Sequence, residues 1–180
     1  GVLYNEGRYG YYQPENGYNP FSEYANRFNQ RKQLTFSGDA KLSYEITKGL
    51  IASVFGSYQR NSWDDRYYRS TQDYQQYNSG SPYFGTGYAY KGSHLDFTQT
   101  VEPTITYSTE IAEHSFELLG GYSYQYSATE NYSMDNSGFT TDGFEDWNFG
   151  AGNAITDIDL PRPNMSSFKE DNPLIAYFTR

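Results

Sequence analysis

Residues 34–46 read LTFSGDAKLSYEI. Leu34, Phe36, Gly38, Ala40, Leu42, Tyr44 and Ile46 alternate with Thr35, Ser37, Asp39, Lys41, Ser43 and Glu45. Successive side chains of a strand point to opposite faces, so this stretch makes a strand with one apolar and one polar side. Wound as a helix, the same residues would scatter Asp39, Lys41 and Glu45 through the apolar stripe. The pattern therefore selects a half-wetted strand.

Working outward, Thr47-Lys48-Gly49 forms a tight turn in which Gly49 can take a positive φ. A second strand, over about 50–60, puts Leu50, Ala52, Val54, Gly56 and Tyr58 on one face. Its other face is mixed, because Ile51 and Phe55 stand among Ser53, Ser57 and Gln59, which suggests contact with protein. A third strand, about 94–108, aligns Leu95, Phe97, Val101, Ile105 and Tyr107 opposite Asp96, Thr98, Thr100, Glu102, Thr104 and Thr106. Pro103 donates no ladder hydrogen bond, so a bulge or a local edge is expected there. After a short turn, a fourth strand over about 114–129 aligns Phe116, Leu118, Gly120, Tyr122, Tyr124, Tyr126 and Ala128. A fifth begins at 174–180. The segments 1–33, 61–93 and 130–173 remain as long loops.

Short and long connections alternate. A soluble sandwich would turn every 8–12 residues or so, without long loops always at one end. Membrane barrels have this asymmetry, with short turns on the periplasmic side and long loops outside. About 13 residues at ~3.3 Å each, tilted by ~40°, rise roughly 33 Å, enough for an apolar band of ~25 Å. Tyr44 and Tyr107 precede short turns, while Tyr58, Tyr124 and Tyr126 lie near long loops. Interfacial girdles would place rings at both ends in this way, and this reading is preferred to simple packing of a soluble sheet. The expected fold class is all-β: an antiparallel up-and-down meander forming part of a large transmembrane β-barrel with long extracellular loops.

Composition narrows the function classes. The 180 residues include 21 Tyr and 17 Gly but no Cys, and mean hydropathy is −0.86. So aromatic a chain is not disordered by composition. Without Cys there is no disulfide, thiol nucleophile or thiolate metal site. A net charge of −9 disfavours nucleic acid, whose phosphates need clustered Lys and Arg. No apolar run of roughly 18 residues suggests a transmembrane helix, although barrel strands need none. Residues 1–10 (GVLYNEGRYG) lack the apolar core of a signal peptide.

No catalytic constellation emerges, and the chain is not expected to be an enzyme or to hold a cofactor. His94 and His114 lack metal-ligand spacing and read as solvent- or loop-facing. Asp64-Asp65 and the acidic group Asp135, Asp142, Glu145 and Asp146 lack EF-hand-like spacing and read as solvated loops, not as a metal site. Gly150-Ala151-Gly152 follows no parallel-type strand and does not read as a nucleotide loop. Aromatic residues crowd the long loops, and Trp63, Tyr67, Tyr68, Tyr83, Tyr88, Trp147 and Phe149 are the candidate ligand contacts. Most of the loop aromatics are expected to pack the loops together, with a minority lining a chamber. The candidate lipid-facing set is Leu34, Phe36, Leu42, Leu50, Val54, Leu95, Phe97, Val101, Ile105, Phe116 and Leu118.

Several short motifs, in order, carry a family resemblance. They are Asn19-Pro20 running into 34–46, Thr47-Lys48-Gly49-Leu50, and FELLGGYS at 116–123. NFGAG at 148–152 and AYFTR at 176–180 complete the set. Thr179 stands where a glycine is expected. In these pieces the chain resembles the SusC/RagA-type TonB-dependent transporters of Bacteroidetes-like bacteria. The resemblance implies an early-to-middle slice of an outer-membrane barrel, without the plug, the TonB-contacting box or the closing strand. It also implies outer-membrane lipids, a SusD-like surface lipoprotein and TonB as partners, and uptake of an oligosaccharide or peptide. The rival from another class is a soluble carbohydrate-binding β-module that uses the loop aromatics. It would cover both sheet faces with protein, whereas a barrel wall leaves Leu34, Phe36, Leu42, Phe97 and Ile105 on an outer surface.

Overall fold

The computed structural model describes residues 24–73 and 85–180, together with the backbone of a short ribbon. In that ribbon β1 (Tyr4–Asn5) pairs antiparallel with β2 (Arg8–Tyr9). Five further strands form one sheet: β3 (Arg27–Thr47), β4 (Leu50–Arg69), β5 (Gly87–Ile111), β6 (His114–Phe139) and β7 (Met165–Thr179). Their order in the sheet is their order in the chain, an antiparallel up-and-down meander. Among the described residues, Tyr24, Ala25 and Asn26 are helical, and two 3₁₀ turns, Phe149–Ala151 and Asn153–Ile155, lie between β6 and β7.

Both short connections are two-residue turns. Between β3 and β4, Gly49 takes φ +80°, and a Cβ there would lie 2.2 Å from the Ser108 carbonyl oxygen. The Gly49 carbonyl meanwhile accepts the Ser108 N–H at 2.8 Å. Glycine is thus required for both its conformation and its size. Between β5 and β6 the left-handed position falls to Ala112, at φ 57°.

The strands run farther than 34–46, 50–60, 94–108, 114–129 and 174–180, and the loops shrink to match. The extensions lack a one-sided hydrophobic pattern; polar cross-strand pairs hold them. Arg31 grips Asp65 through two hydrogen bonds, at 2.6 and 2.8 Å. Gln33 and Thr35 both donate to Asn61 at 2.9 Å. β5 passes through Pro103 as one strand and lies third of five, so this proline is not at an edge. One missing donor is a small loss in a ladder of this length.

The chain divides into two compact units. One comprises residues 33–62, 94–131 and 168–180. Here Ser43–Ser53, Asp96–Thr129 and Glu102–Ser123 are side-chain hydrogen-bonded across neighbouring strands, which places them on the polar face. Phe36–Tyr58, Phe97–Tyr126 and Tyr122–Tyr177 are ring pairs between neighbouring strands on the apolar face. Leu34 is 66% exposed, Leu42 72%, Ile105 48% and Leu118 64%. Phe36, Val54, Val101 and Phe116 are exposed as well, while Leu50, Leu95 and Phe97 are half-buried. Along β5 the usual order is inverted: Val101, Ile105 and Tyr107 are exposed, and Glu102, Thr104 and Thr106 are half-buried. Ala128 is the one buried residue described in this unit. The second unit, residues 1–32, 63–93 and 132–167, holds the remaining buried residues.

The two turns generate opposite expectations. A left-handed non-glycine residue costs roughly 1–2 kcal/mol. Ala112→Gly should therefore raise stability by about 1 kcal/mol, and Gly49→Ala should lower it by about 2 kcal/mol or more. Urea midpoints of the protein in detergent measure both, and equal shifts of the same sign would refute this account of the turns.

Candidate functional site

The second unit is assembled from the far ends of the strands and the loop 140–164. Among its described residues, Tyr68, Ala89 and Phe139 form a buried cluster, with Phe28, Phe149 and Ala151 packed against it. Phe139 meets Tyr68 and Phe149 edge to face, at 6.2 and 6.5 Å between ring centres. Such geometry sets the positive ring edge against the negative face.

Charge fastens the loop to the strands. Asp146 is fully buried, and its carboxylate accepts two hydrogen bonds from Arg66, at 2.6 and 2.5 Å. Lys91 lies 3.5 Å away. The Arg66 guanidinium sits 3.8 Å from the Trp147 ring centre and 5.1 Å from that of Phe28. Burial alone would push the Asp146 carboxyl up, but the Arg66 hydrogen bonds and charge, helped by Lys91, hold it below the usual carboxylate range. The Arg66 guanidinium is raised in turn, chiefly by its hydrogen bonds to Asp146.

A second anchor uses Asp142. It accepts the Tyr68 hydroxyl, the Thr71 backbone N–H and the Thr71 hydroxyl, each at 2.8 Å. Desolvation, and then the bond to Asp142, raise the Tyr68 phenol far above its ordinary value, so it stays a donor. A third anchor is Asn136, whose amide donates to the Phe149 and Gly152 carbonyls while its oxygen accepts the Ser137 N–H. Gly138, at φ +82°, lets the backbone close on Asn153 and Ala154, where a Cβ would come within 2.9–3.0 Å of their amide nitrogens. Elsewhere in this unit, Arg27 pairs with the buried Asp73 at 2.8 Å.

These contacts correct the reading of the acidic loop as merely solvated. Asp142 and Asp146 are structural partners; Asp65 is held by Arg31, and Asp135 accepts the Asn164 N–H at 3.2 Å. No cluster of three metal-ligating side chains occurs among the described residues. His94 lies 3.0 Å from Asp96, and His114 is exposed beside Phe116.

The candidate ligand contacts separate by role. Tyr68, 3% exposed, is a core residue and out of a ligand's reach. Trp63 carries the Arg31 guanidinium at 5.3 Å, and Tyr67 packs on Tyr88 at 6.0 Å. Trp147 stacks on Arg66 yet remains 67% exposed. Tyr83 lies outside the described residues. Of this group only Phe149 borders a cleft of about 500 Å³ in this unit. The cleft lies between the 3₁₀ turns and the adjoining ends of β6 and β7. Met134, Ala154 and Phe149 form its inner part, and Ile155, Ile158 and Met165 stand exposed at its mouth with Asp135, Asp157 and Arg162. Sequence reasoning missed this cleft. The available signal was AITDIDL at 154–160, where apolar residues recur inside a loop and have no strand to face.

No family model matches the sequence, and no curated protein matches it. Solved structures do. The RagAB peptide transporter aligns over 94% of this chain with a TM-score of 0.74 and 15% identity. The RagAB peptide importer aligns in its open-open state over 99% of the chain, with a TM-score of 0.66 and 17% identity. In its closed-closed state the figures are 86%, 0.62 and 14%. The chain spans 16–18% of the length of these structures. At such identities the likeness is one of fold.

Removing one member of a buried ion pair typically costs 3–5 kcal/mol. Arg66→Met should release the loop 140–164 by roughly that amount, read as faster limited proteolysis within it. Because the folded Asp146 is more acidic than its ordinary value of 3.8, its contribution is complete above that value and is lost as pH falls below it. Loop protection should accordingly persist from neutral pH to about 4 and fail below. An Asp146→Asn protein with unaltered acid sensitivity would contradict this.

Proposed function

We propose that this chain forms part of the wall and the outer loops of an outer-membrane nutrient importer of the SusC/RagA type. One observation carries the reading. On a single-layered sheet, apolar residues such as Leu34, Leu42, Ile105 and Leu118 are the exposed ones, whereas the polar residues of β5 are the more covered. In water this distribution wastes the hydrophobic term, at about 25 cal/mol per Å² left uncovered. Facing lipid it is the stable one, because lumen-facing residues of a barrel are polar and lipid-facing residues apolar.

The fold-level likeness to RagAB structures, over most of this chain, supports the same placement. The edge strands β3 and β7 would then pair with other strands of the wall, since unpaired backbone groups are costly in hydrocarbon. In this reading the segments 33–62, 94–131 and 168–180 cross the bilayer, and the long connections are the extracellular loops. The surface lipoprotein and TonB implied by the resemblance belong to the proposal, as does uptake of an oligosaccharide or peptide. The role is transport and not catalysis. A soluble carbohydrate-binding module is less well supported, because it needs a protein layer over the apolar face.

The two faces should respond differently to charge. Arginine on the lipid side of a barrel costs up to about 2–4 kcal/mol near mid-bilayer, while lumen positions tolerate it. Ile105→Arg should markedly reduce folding into lipid vesicles, and its neighbour Thr104→Arg should have a much smaller effect. Equal sensitivity of the two, or a wild-type protein that stays folded and monomeric without detergent or lipid, would end the proposal.

A further inference from the structure

The apolar face of the sheet carries two polar side chains that hydrocarbon alone would leave unsatisfied. Tyr58 lies on that face, its ring 6.2 Å from that of Phe36. Arg60 follows two residues along β4 and so shares the face. Gln99 falls on the same side of β5 as Phe97 and Val101. Both Arg60 and Gln99 are exposed, and among the described residues neither side chain is hydrogen-bonded or ion-paired. β4 lies between β3 and β5, and β5 between β4 and β6. Further strands of a wall would join at β3 or β7, so they cannot supply the missing partners.

Beside these two groups the surface dips into a groove of about 530 Å³. Gly38, Ala40 and Gly56 keep it shallow of side chains, while Phe36, Tyr58 and Val101 stand beside it and Gln99 borders it. Hydrocarbon laid in such a depression recovers dispersion contacts that an open one lacks.

Height places the polar pair. Arg60 lies ten residues beyond Leu50 in β4. At ~3.3 Å each and a tilt of ~40° this is a rise of about 25 Å, the full depth of the ~25 Å apolar band. In the importer reading Arg60 therefore stands at the outer edge of the hydrocarbon, with the groove toward the bilayer interior. A guanidinium at that level reaches headgroup phosphate and binds it through paired N–H donors. The chain as a whole carries a net charge of −9, so any preference for anionic lipid must arise from a local cation and not from general attraction.

We infer that this groove binds an anionic phosphorylated lipid, with an acyl chain over Gly38 and Gly56, the phosphate on Arg60 and the ester or amide linkage on Gln99. The inference rests on the importer reading and adds to it a lipid partner held at a defined place on the outward wall.

Native mass spectrometry tests it, on the intact protein released from detergent that contains equal amounts of phosphatidylglycerol and phosphatidylcholine. Phosphatidylglycerol should be retained about fivefold over phosphatidylcholine. Arg60→Gln should bring that ratio close to one. Gly38→Leu, at an exposed position, should lower retention of both lipids by about fivefold. Lys41→Gln, on the opposite, polar face, should leave the ratio unchanged. Far-ultraviolet circular dichroism checks that each variant is folded, and Arg60→Gln decides the matter if Gly38→Leu is not. No preference for phosphatidylglycerol, a preference that survives Arg60→Gln, or one lost equally in Lys41→Gln would overturn the inference. Vesicle insertion is scored on the same preparation. Insertion without lipid preference sinks this inference alone, whereas failure to insert sinks the import reading beneath it.

Discussion

A sheet with no second layer among the described residues must be held by its own ladder. Residues 33–62, 94–131 and 168–180 bury only Ala128 among those described, so side-chain packing cannot supply the usual core. Backbone hydrogen bonds between neighbours, cross-strand ring pairs and polar pairs such as Asp96–Thr129 must do so instead. The solvent is part of this balance. Water competes for every ladder bond at an exposed face, whereas hydrocarbon does not compete at all. Under the proposed membrane placement, lipid against the apolar side would secure strands that would be precarious in water.

The loop-bearing unit solves a different problem. Among its described residues, the loop 140–164 is tied down by buried carboxylates paired with long-range partners. Asp146 with Arg66, and Asp142 with Tyr68 and Thr71, fix two points along the loop. Fixing those points leaves 154–165 presented as a shaped surface and not as a loose excursion. The Trp147 and Phe28 rings, at 3.8 and 5.1 Å from the Arg66 guanidinium, add cation–π attraction to the ion pair.

How much of this is legible in the sequence depends on whether a residue answers to a neighbour in the chain or to a distant one. The alternation at 34–46 and the glycine at 49 are local signals, and the strand and the turn follow from them. The continuation of β4 beyond residue 60 is not local: Asn61, Trp63 and Asp65 face partners from β3, and neither side of that segment is greasy enough to show a period. Asp146 lies eighty positions from Arg66, and nothing near it distinguishes a buried carboxylate from a solvated one. Aromatic content marked the loops as ordered, yet it could not separate Tyr68, which fills the core, from Trp147, which remains at the surface.

The contrast between two-residue turns at one end of the meander and long connections at the other constrains how such a chain can diversify. A single residue added at Lys48-Gly49 would slip β3 against β4 and turn its greasy side inward, because side chains alternate with a period of two. Residues added within the long connections leave the register of the flanking strands unchanged. Tolerance of added length is therefore expected at the long connections and not at the two-residue turns.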